Sequence, residues 1–280
     1  MKKHVLCTVC IFLILLACNQ RGKSYTSPAG YNLNEPEKFF MPSSLHEISG
    51  VCFYNNSDTM YAIQDEKGNV YYSALKDNEW KHTKFAKDGD YEDIAVCNNY
   101  IVVLRSDGTL FSFPFAELEN EEADHVHEWK DILPKGEYES LATGTDNRLY
   151  VLCKNCKDDK SETVSGYVLQ LNDSGVIVQE GNFMIDATKV LNMSYEKKDR
   201  FEPSAIAYKS NSHEWYILSS VNKMLVITDD NFKIKEMHSL DPALYNQPEG
   251  ICFDRNNVLY ISNEAGELKN GSVYKMAPIP

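Results

Sequence analysis

The chain is 280 residues long, and its 41 acidic against 28 basic residues leave a formal net charge of −13. That balance makes nucleic acid and anionic lipid headgroups poor electrostatic partners, since neither would gain from counterion release or a polybasic patch. Cations and neutral molecules are the easier ligands.

At the N-terminus Lys2 and Lys3 precede an apolar run over residues 5–16, too short to span a bilayer comfortably, which ends in Leu15-Leu16-Ala17-Cys18. This resembles a bacterial lipoprotein signal with its lipobox. The resemblance implies removal of residues 1–17, acylation of Cys18 on thiol and amino group (palmitate-type chains), and a protein anchored to a membrane of the bacterial cell envelope without spanning it. An uncleaved N-terminal anchor is the alternative. Asn19 is not the Asp that retains many lipoproteins on the inner membrane, but that rule differs between bacterial groups, so inner and outer membrane both stay open. Residues 18–30 are polar, with Gly, Ser and Pro, and read as a lipidated tether.

From residue 31 onward a repeat governs the sequence. Five times a small polar anchor precedes an apolar strand: Ser49-Gly50-Val51-Cys52-Phe53, Glu92-Asp93-Ile94-Ala95-Val96, Glu139-Ser140-Leu141-Ala142-Thr143, Ser204-Ala205-Ile206-Ala207-Tyr208 and Glu249-Gly250-Ile251-Cys252-Phe253. The anchors lie 43, 47, 65 and 45 residues apart, a spacing that suits one four-stranded propeller blade of roughly 40 to 50 residues. A second strand follows each anchor strand, centred on Tyr61, Val102, Tyr150, Tyr216 and Tyr260, and a third follows a polar turn, which contains Gly over residues 65–69, 106–108 and 264–271. More polar outer strands are expected over residues 79–86, 124–132, 176–185 and 232–240.

The fifth unit runs out of chain before its fourth strand, while residues 31–40 form an extended segment with no blade of their own. Residues 31–280 therefore read as one all-β domain, a five-bladed β-propeller closed by the N-terminal strand pairing into the last blade. A six-bladed body would need a unit hidden in the long spacing around residues 172–200. The insertion over residues 157–163 and the acidic stretch over residues 117–124 read as solvated loops.

Of eight cysteines, Cys7 and Cys10 leave with the signal and Cys18 is lipidated. Cys52 and Cys252 occupy the same place in the repeat and read as small buried hydrophobes. Cys153 and Cys156 form a C-x-x-C at a strand end, open to a local disulfide in an oxidising compartment or to half of a metal site.

The inner strands of a propeller line a tunnel, so Ser49, Glu92, Glu139, Ser204 and Glu249 should converge near one face. Three carboxylates crowded there must either take up protons or hold a cation. Oxygen-only ligands favour a hard ion, with Ca2+ the first choice because it tolerates irregular coordination. Glu47 and Glu202, two residues before the serines, would add charge where those blades lack a glutamate. The competing reading is that these acids merely accept backbone N–H groups from neighbouring blades. The ends of the second strands place Asp65, Arg105, Lys154, Ser220, Asn263 and Glu264 around the tunnel mouth, as a rim for an unknown small molecule or protein. His46 could act as a general base or be a solvated or capping loop residue.

The segments His46-Glu47-Ile48-Ser49-Gly50, Tyr91-Glu92-Asp93-Ile94-Ala95, Phe201-Glu202-Pro203-Ser204-Ala205 and Gln247-Pro248-Glu249-Gly250-Ile251, with the lipoprotein signal, resemble the SdiA-regulated family of bacterial envelope propellers. That resemblance implies fold and place rather than chemistry. The order Ser, Glu, Glu, Ser, Glu is also similar to the calcium ring of the five-bladed calcium-activated nucleotidases. This second likeness implies a Ca2+ site on Ser49, Glu92, Glu139, Ser204 and Glu249. It does not carry the activity, because Lys67 stands where an Arg is expected and the long aromatic loops are missing. The expectation is a monomeric, calcium-binding envelope lipoprotein acting as a binding or scaffold module. A metal-dependent hydrolase of phosphoesters, phosphoanhydrides or lactones is the alternative.

Overall fold

In the computed structural model, which describes residues 25–77, 79–144, 147–193 and 199–279, five four-stranded antiparallel sheets follow one another along the chain. The expected signal (residues 1–17) and Cys18 lie outside the described residues. Blade 1 comprises β2 (Ile48–Phe53), β3 (Thr59–Gln64), β4 (Asn69–Ala74) and β5 (Lys81–Lys84). Blade 2 is built from β6 (Tyr91–Cys97), β7 (Tyr100–Arg105), β8 (Leu110–Pro114) and β9 (His127–Trp129). Blade 3 uses β10 (Gly136–Thr143), β11 (Arg148–Cys156), β12 (Thr163–Leu171) and β13 (Ile177–Asp186). Blade 4 holds β14 (Ala205–Lys209), β15 (Glu214–Ser219), β16 (Met224–Asp229) and β17 (Ile234–Ser239). In blade 5, β18 (Pro248–Phe253), β19 (Leu259–Asn263) and β20 (Ser272–Met276) are joined by β1 (Glu37–Phe40), which pairs antiparallel with β20 from Glu37↔Lys275 to Phe40↔Ser272. That pairing is consistent with closure by the N-terminal strand. Between β13 and β14 the described residues carry only the short helix α1 (Thr188–Met193), so the long spacing holds a lengthened hairpin rather than a sixth blade.

The core explains why the inner strands read as unbroken apolar runs. Five buried clusters lie one at each blade–blade contact. Successive side chains point to opposite faces, so Ile94 and Val96 pack toward blade 1 while Ala95 packs toward blade 3. With both faces of each sheet covered, alternation between polar and apolar disappears.

Three expectations need correction. The tether ends earlier than residue 30, because from Tyr25 onward the chain is fixed to the body: Thr26 Oγ1 meets His238 Nδ1 at 2.9 Å and Leu33 N donates to Ser27 Oγ at 2.9 Å. The N-terminal strand is shorter than residues 31–40, since Tyr31 and Leu33 instead turn into the core between blades 4 and 5. Nor is the acidic loop over residues 117–124 simply solvated. Lys84 N donates to Glu121 O at 3.0 Å, Ala123 N donates to Lys84 O at 2.8 Å, and Leu118 is buried. The loop satisfies the outer edge of β5, which would otherwise present unpaired backbone groups.

Candidate functional site

The anchors reach the axis by a local device that repeats. Register shifts fall between Tyr91 and Asp93, between Tyr138 and Ser140, and between Pro248 and Gly250, so Glu92, Glu139 and Glu249 are each the extra residue of a β-bulge. A bulge re-aims the side chain it displaces. In blade 1 the shift spans Ser49 and Gly50, and Ser204 stands just before β14. Here the two serines serve the backbone. Ser204 Oγ donates to Pro248 O at 2.9 Å and accepts Ser220 N at 3.2 Å, while Ser49 Oγ lies 3.4 Å from Glu47 O.

The electrostatics report the convergence. Burial, then the charges of Glu139, Asp90 and Glu249, push the Glu92 carboxyl up to about 9. Burial and Glu249 raise Glu139 to about 8, although Lys154 opposes the shift. Glu249 rises by burial only to about 6, because Ser220 hydrogen-bonds it and Lys154 and Lys223 lie near. Lys154 is the cation of this mouth: its Nζ pairs with Glu139 Oε1 and lies 3.3 Å from Glu137 Oε1.

A second group of acids gathers beside the ring, across the contact of blades 5 and 1. Glu47, Asp65 and Glu264 each offer a carboxylate oxygen, all within 4.8 Å of one another. Burial and the hydrogen-bonded Glu47 carboxyl raise Glu264 to about 8; that same bond and then His46 hold Glu47 low. Burial, then Glu47, lifts Asp65 to about 6, and its Oδ1 is buried without a hydrogen-bond partner. Glu47 thus stands with Asp65 and Glu264 rather than over Ser49. The reason is that Asp65 N donates to Glu47 O and Ala265 N donates to His46 O, which fixes this strand entry against its neighbours.

The other expected residues are placed as follows. Ser220 and Lys154 line a cleft of about 440 Å³ beside the ring. Asn263 is buried next to Glu264, with both amide atoms unpartnered. Arg105 is paired with Asp107 at 2.8 Å and Glu128 at 3.6 Å. The described contacts of Glu202 run through its backbone, to Asn222 and Ser219. His46 Nδ1 lies 2.6 Å from Glu47 Oε1 and its Nε2 lies 3.3 Å from Leu268 O. Cys153 and Cys156 form a disulfide, which removes them as metal ligands. Cys252 is buried as expected and Cys52 half-buried.

Two participants escaped the sequence reading. Lys223, in the β15–β16 turn, lines the cleft and carried no repeat signal. Asp93 follows its anchor where the other blades have Gly50, Ser140, Ala205 and Gly250, and that contrast was available in the sequence. Its buried carboxylate accepts Ile94 N at 2.9 Å and Leu141 N at 2.7 Å, so in blade 2 the residue after the anchor plays the backbone-accepting role that the competing reading gave to the acids.

The donor set is oxygen-only and carries several negative charges, which suits a hard divalent cation. The orphaned Asp65 Oδ1 belongs to the Glu47–Asp65–Glu264 group, whose carboxylate oxygens lie close enough together to hold such an ion; Glu92, Glu139 and Glu249 feel one another's charge but are not among the described groups that meet this spacing. Behind the ring the tunnel turns apolar, a cavity of about 120 Å³ lined by the later residues of the inner strands, including Val51, Ala95, Ala142, Ala207 and Ile251.

No curated protein matches the chain in sequence. Among solved structures it is similar to a glutaminyl cyclase of Myxococcus xanthus, at 9% identity and a TM-score of 0.56, over 87% of this chain and 96% of that one. It is also similar to the PQQ-bound aldose sugar dehydrogenase of Streptomyces coelicolor, at 9% identity and a TM-score of 0.53, over 90% and 99%. Likenesses this distant in sequence concern the fold alone. The SdiA-regulated family model, by contrast, matches residues 31–267, which spans the bulged anchors and the acid mouth, and the chain belongs to the SdiA-regulated family.

Proposed function

We propose that this chain is a lipid-anchored propeller of the bacterial cell envelope that holds Ca2+ at its tunnel mouth and serves as a binding or scaffold lipoprotein. Cys18 would carry the lipid, β1 would close the ring, and the mouth would meet a small molecule or protein. The observation that carries the metal reading is the convergence of Glu92, Glu139 and Glu249 on three bulges. Burial raises all three carboxyls, with repulsion from Glu139 and Glu249 added at Glu92 and from Glu249 at Glu139, a cost that a divalent ion would relieve.

A hydrolase of phosphoesters, phosphoanhydrides or lactones is the second reading, favoured by the open cleft beside the ring. In it the ion would polarise the substrate or activate water. The chain's own contribution would be to bind and orient, since the repeat supplies acids at the mouth without an unambiguous base, and His46 lies against Glu47 Oε1 and Leu268 O. Binding therefore ranks first.

The test is calorimetry with Ca2+ on residues 22–280, beside Glu92→Gln/Glu139→Gln. Stoichiometric binding lost in the double variant supports the reading. Heats indistinguishable from dilution in the wild type would remove both the metal and the hydrolase.

A further inference from the structure

Every propeller blade ends in an outer edge, and such edges are normally short or covered, because their unpaired N–H and C=O groups invite another strand. Four of the five blades follow that rule. The backbone of residues 121–123 pairs with Lys84 of β5, β9 has three residues and β1 four, and β17 carries Lys235 and Glu236 and meets Thr26 at His238. The exception is β13. It runs for ten residues without a lysine or proline and exposes Val178 and Met184, the latter 63% accessible.

A bulge at Glu180 divides β13 and leaves residues 181–186 as one continuous run. Ala187 N donates to Glu162 O, on the β12 side, at 2.8 Å. Backbone groups alternate sides along an antiparallel strand, so Ile185 and Phe183 also bond inward, while Asn182, Met184 and Asp186 turn theirs outward. Ile185 is wholly buried and the other three are exposed, as that alternation requires. Among the described residues no backbone group meets those three from outside.

We propose that this edge pairs with the same edge of a second copy, antiparallel about a two-fold axis at Met184. Outward residues must oppose outward residues, and this register achieves it: Met184 faces Met184 of the partner subunit, and Asn182 faces Asp186 of the partner subunit. Charge and geometry reject the neighbouring registers. An axis at Phe183 sets Glu180 against Asp186 of the partner subunit, a destabilising like-charge pair, and an axis at Asn182 runs Met184 into the bulge. The paired run is at least as long as the one by which β1 completes blade 5. The net charge of −13 opposes association at low salt, and screening at physiological ionic strength weakens that repulsion. The pairing is independent of the calcium reading and replaces the monomer expected from the sequence.

The test treats the purified full chain, at physiological ionic strength, with a short bis-maleimide and reads covalent dimer on denaturing gels. It compares wild type, Met184→Cys, Val178→Cys and Met184→Cys/Asn182→Pro. Opposed residues of a hydrogen-bonded pair lie about 5.5 Å apart at Cα, so Met184→Cys should yield a dimer that wild type and Val178→Cys lack. Proline is tolerated where an edge N–H faces solvent, so adding Asn182→Pro keeps the fold, checked by its melting curve, and should abolish the product. Equal dimer from Val178→Cys, or dimer unmoved by Asn182→Pro, overturns the inference. No dimer from Met184→Cys overturns it too, and leaves the edge to a strand of a different polypeptide.

Discussion

The Oδ2 of Asp93 accepts a hydrogen bond from Leu141 N at 2.7 Å, tying the inner strand of blade 2 to that of blade 3, while Oδ1 accepts Ile94 N at 2.9 Å. Burial raises this carboxyl well above its usual range, and the two backbone donors oppose the shift. Removing it strands two buried N–H groups, each costing roughly 1–3 kcal/mol. Asp93→Ala should therefore lose roughly 2–4 kcal/mol in urea denaturation, and Asp93→Asn less, since one amide oxygen still accepts. A loss below about 0.5 kcal/mol would mean that the strut is dispensable.

Gly50 makes the same contact from the other side. A β-carbon there would stand 2.2 Å from Asp93 Oδ1 and 2.5 Å from Asp93 Cα, so backbone as well as side chain must move. Overpacking of this kind costs roughly 1–3 kcal/mol or more. Gly50→Ala should lower the melting temperature and weaken calcium binding by displacing Ser49 and Glu92. An unchanged melting curve would show that the blades can separate here without penalty.

The acid mouth fixes the pH dependence. Glu92 near 9, Glu139 and Glu264 near 8, and Glu249 and Asp65 near 6 are all raised in the fold. A raised carboxyl stabilises the fold fully below its unfolded value and loses that contribution as pH climbs through its folded value. The metal-free protein should thus melt progressively lower between pH 5 and pH 9. Calcium, which favours the ionised form, should widen the gap between loaded and metal-free melting temperatures over the same range. Differential scanning in calcium and in chelator checks this; parallel curves would contradict it.

Lys154 competes with any cation for Glu139. Lys154→Met should bind calcium several-fold more tightly in calorimetry, and weaker binding would make the lysine a partner of the ion instead. Replacing both Cys153 and Cys156 by Ser opens a loop of only three residues' separation. It should cost about 2 kcal/mol at most, and it should move calcium affinity in the same direction as Lys154→Met by loosening the lysine.

Blade number and the place of β1 were legible because a propeller repeats its register: the anchor, the apolar centre of the second strand and a polar turn recur in phase. The same phase put Ser49, Glu92, Glu139, Ser204 and Glu249 at the starts of the inner strands. What the repeat could not convey is the bulge at each glutamate, since an extra residue in one strand is visible only against its partner. Nor could it convey the pairing of Glu47 with Asp65 and Glu264, which depends on the docking of blade 5 against blade 1. That Asp107, two residues on, engages the Arg105 guanidinium was not visible in the repeat either. Lys223 was missed because it belongs to a turn unique to one blade.

The most direct measurement is a crystal structure grown in calcium. The central claim predicts one strong peak on the axis, 2.3–2.6 Å from oxygens of Glu92, Glu139 and Glu249 as Ca2+ requires, with Lys154 withdrawn from Glu139. An axis without that peak, and Lys154 still paired with Glu139 at saturating calcium, would contradict it.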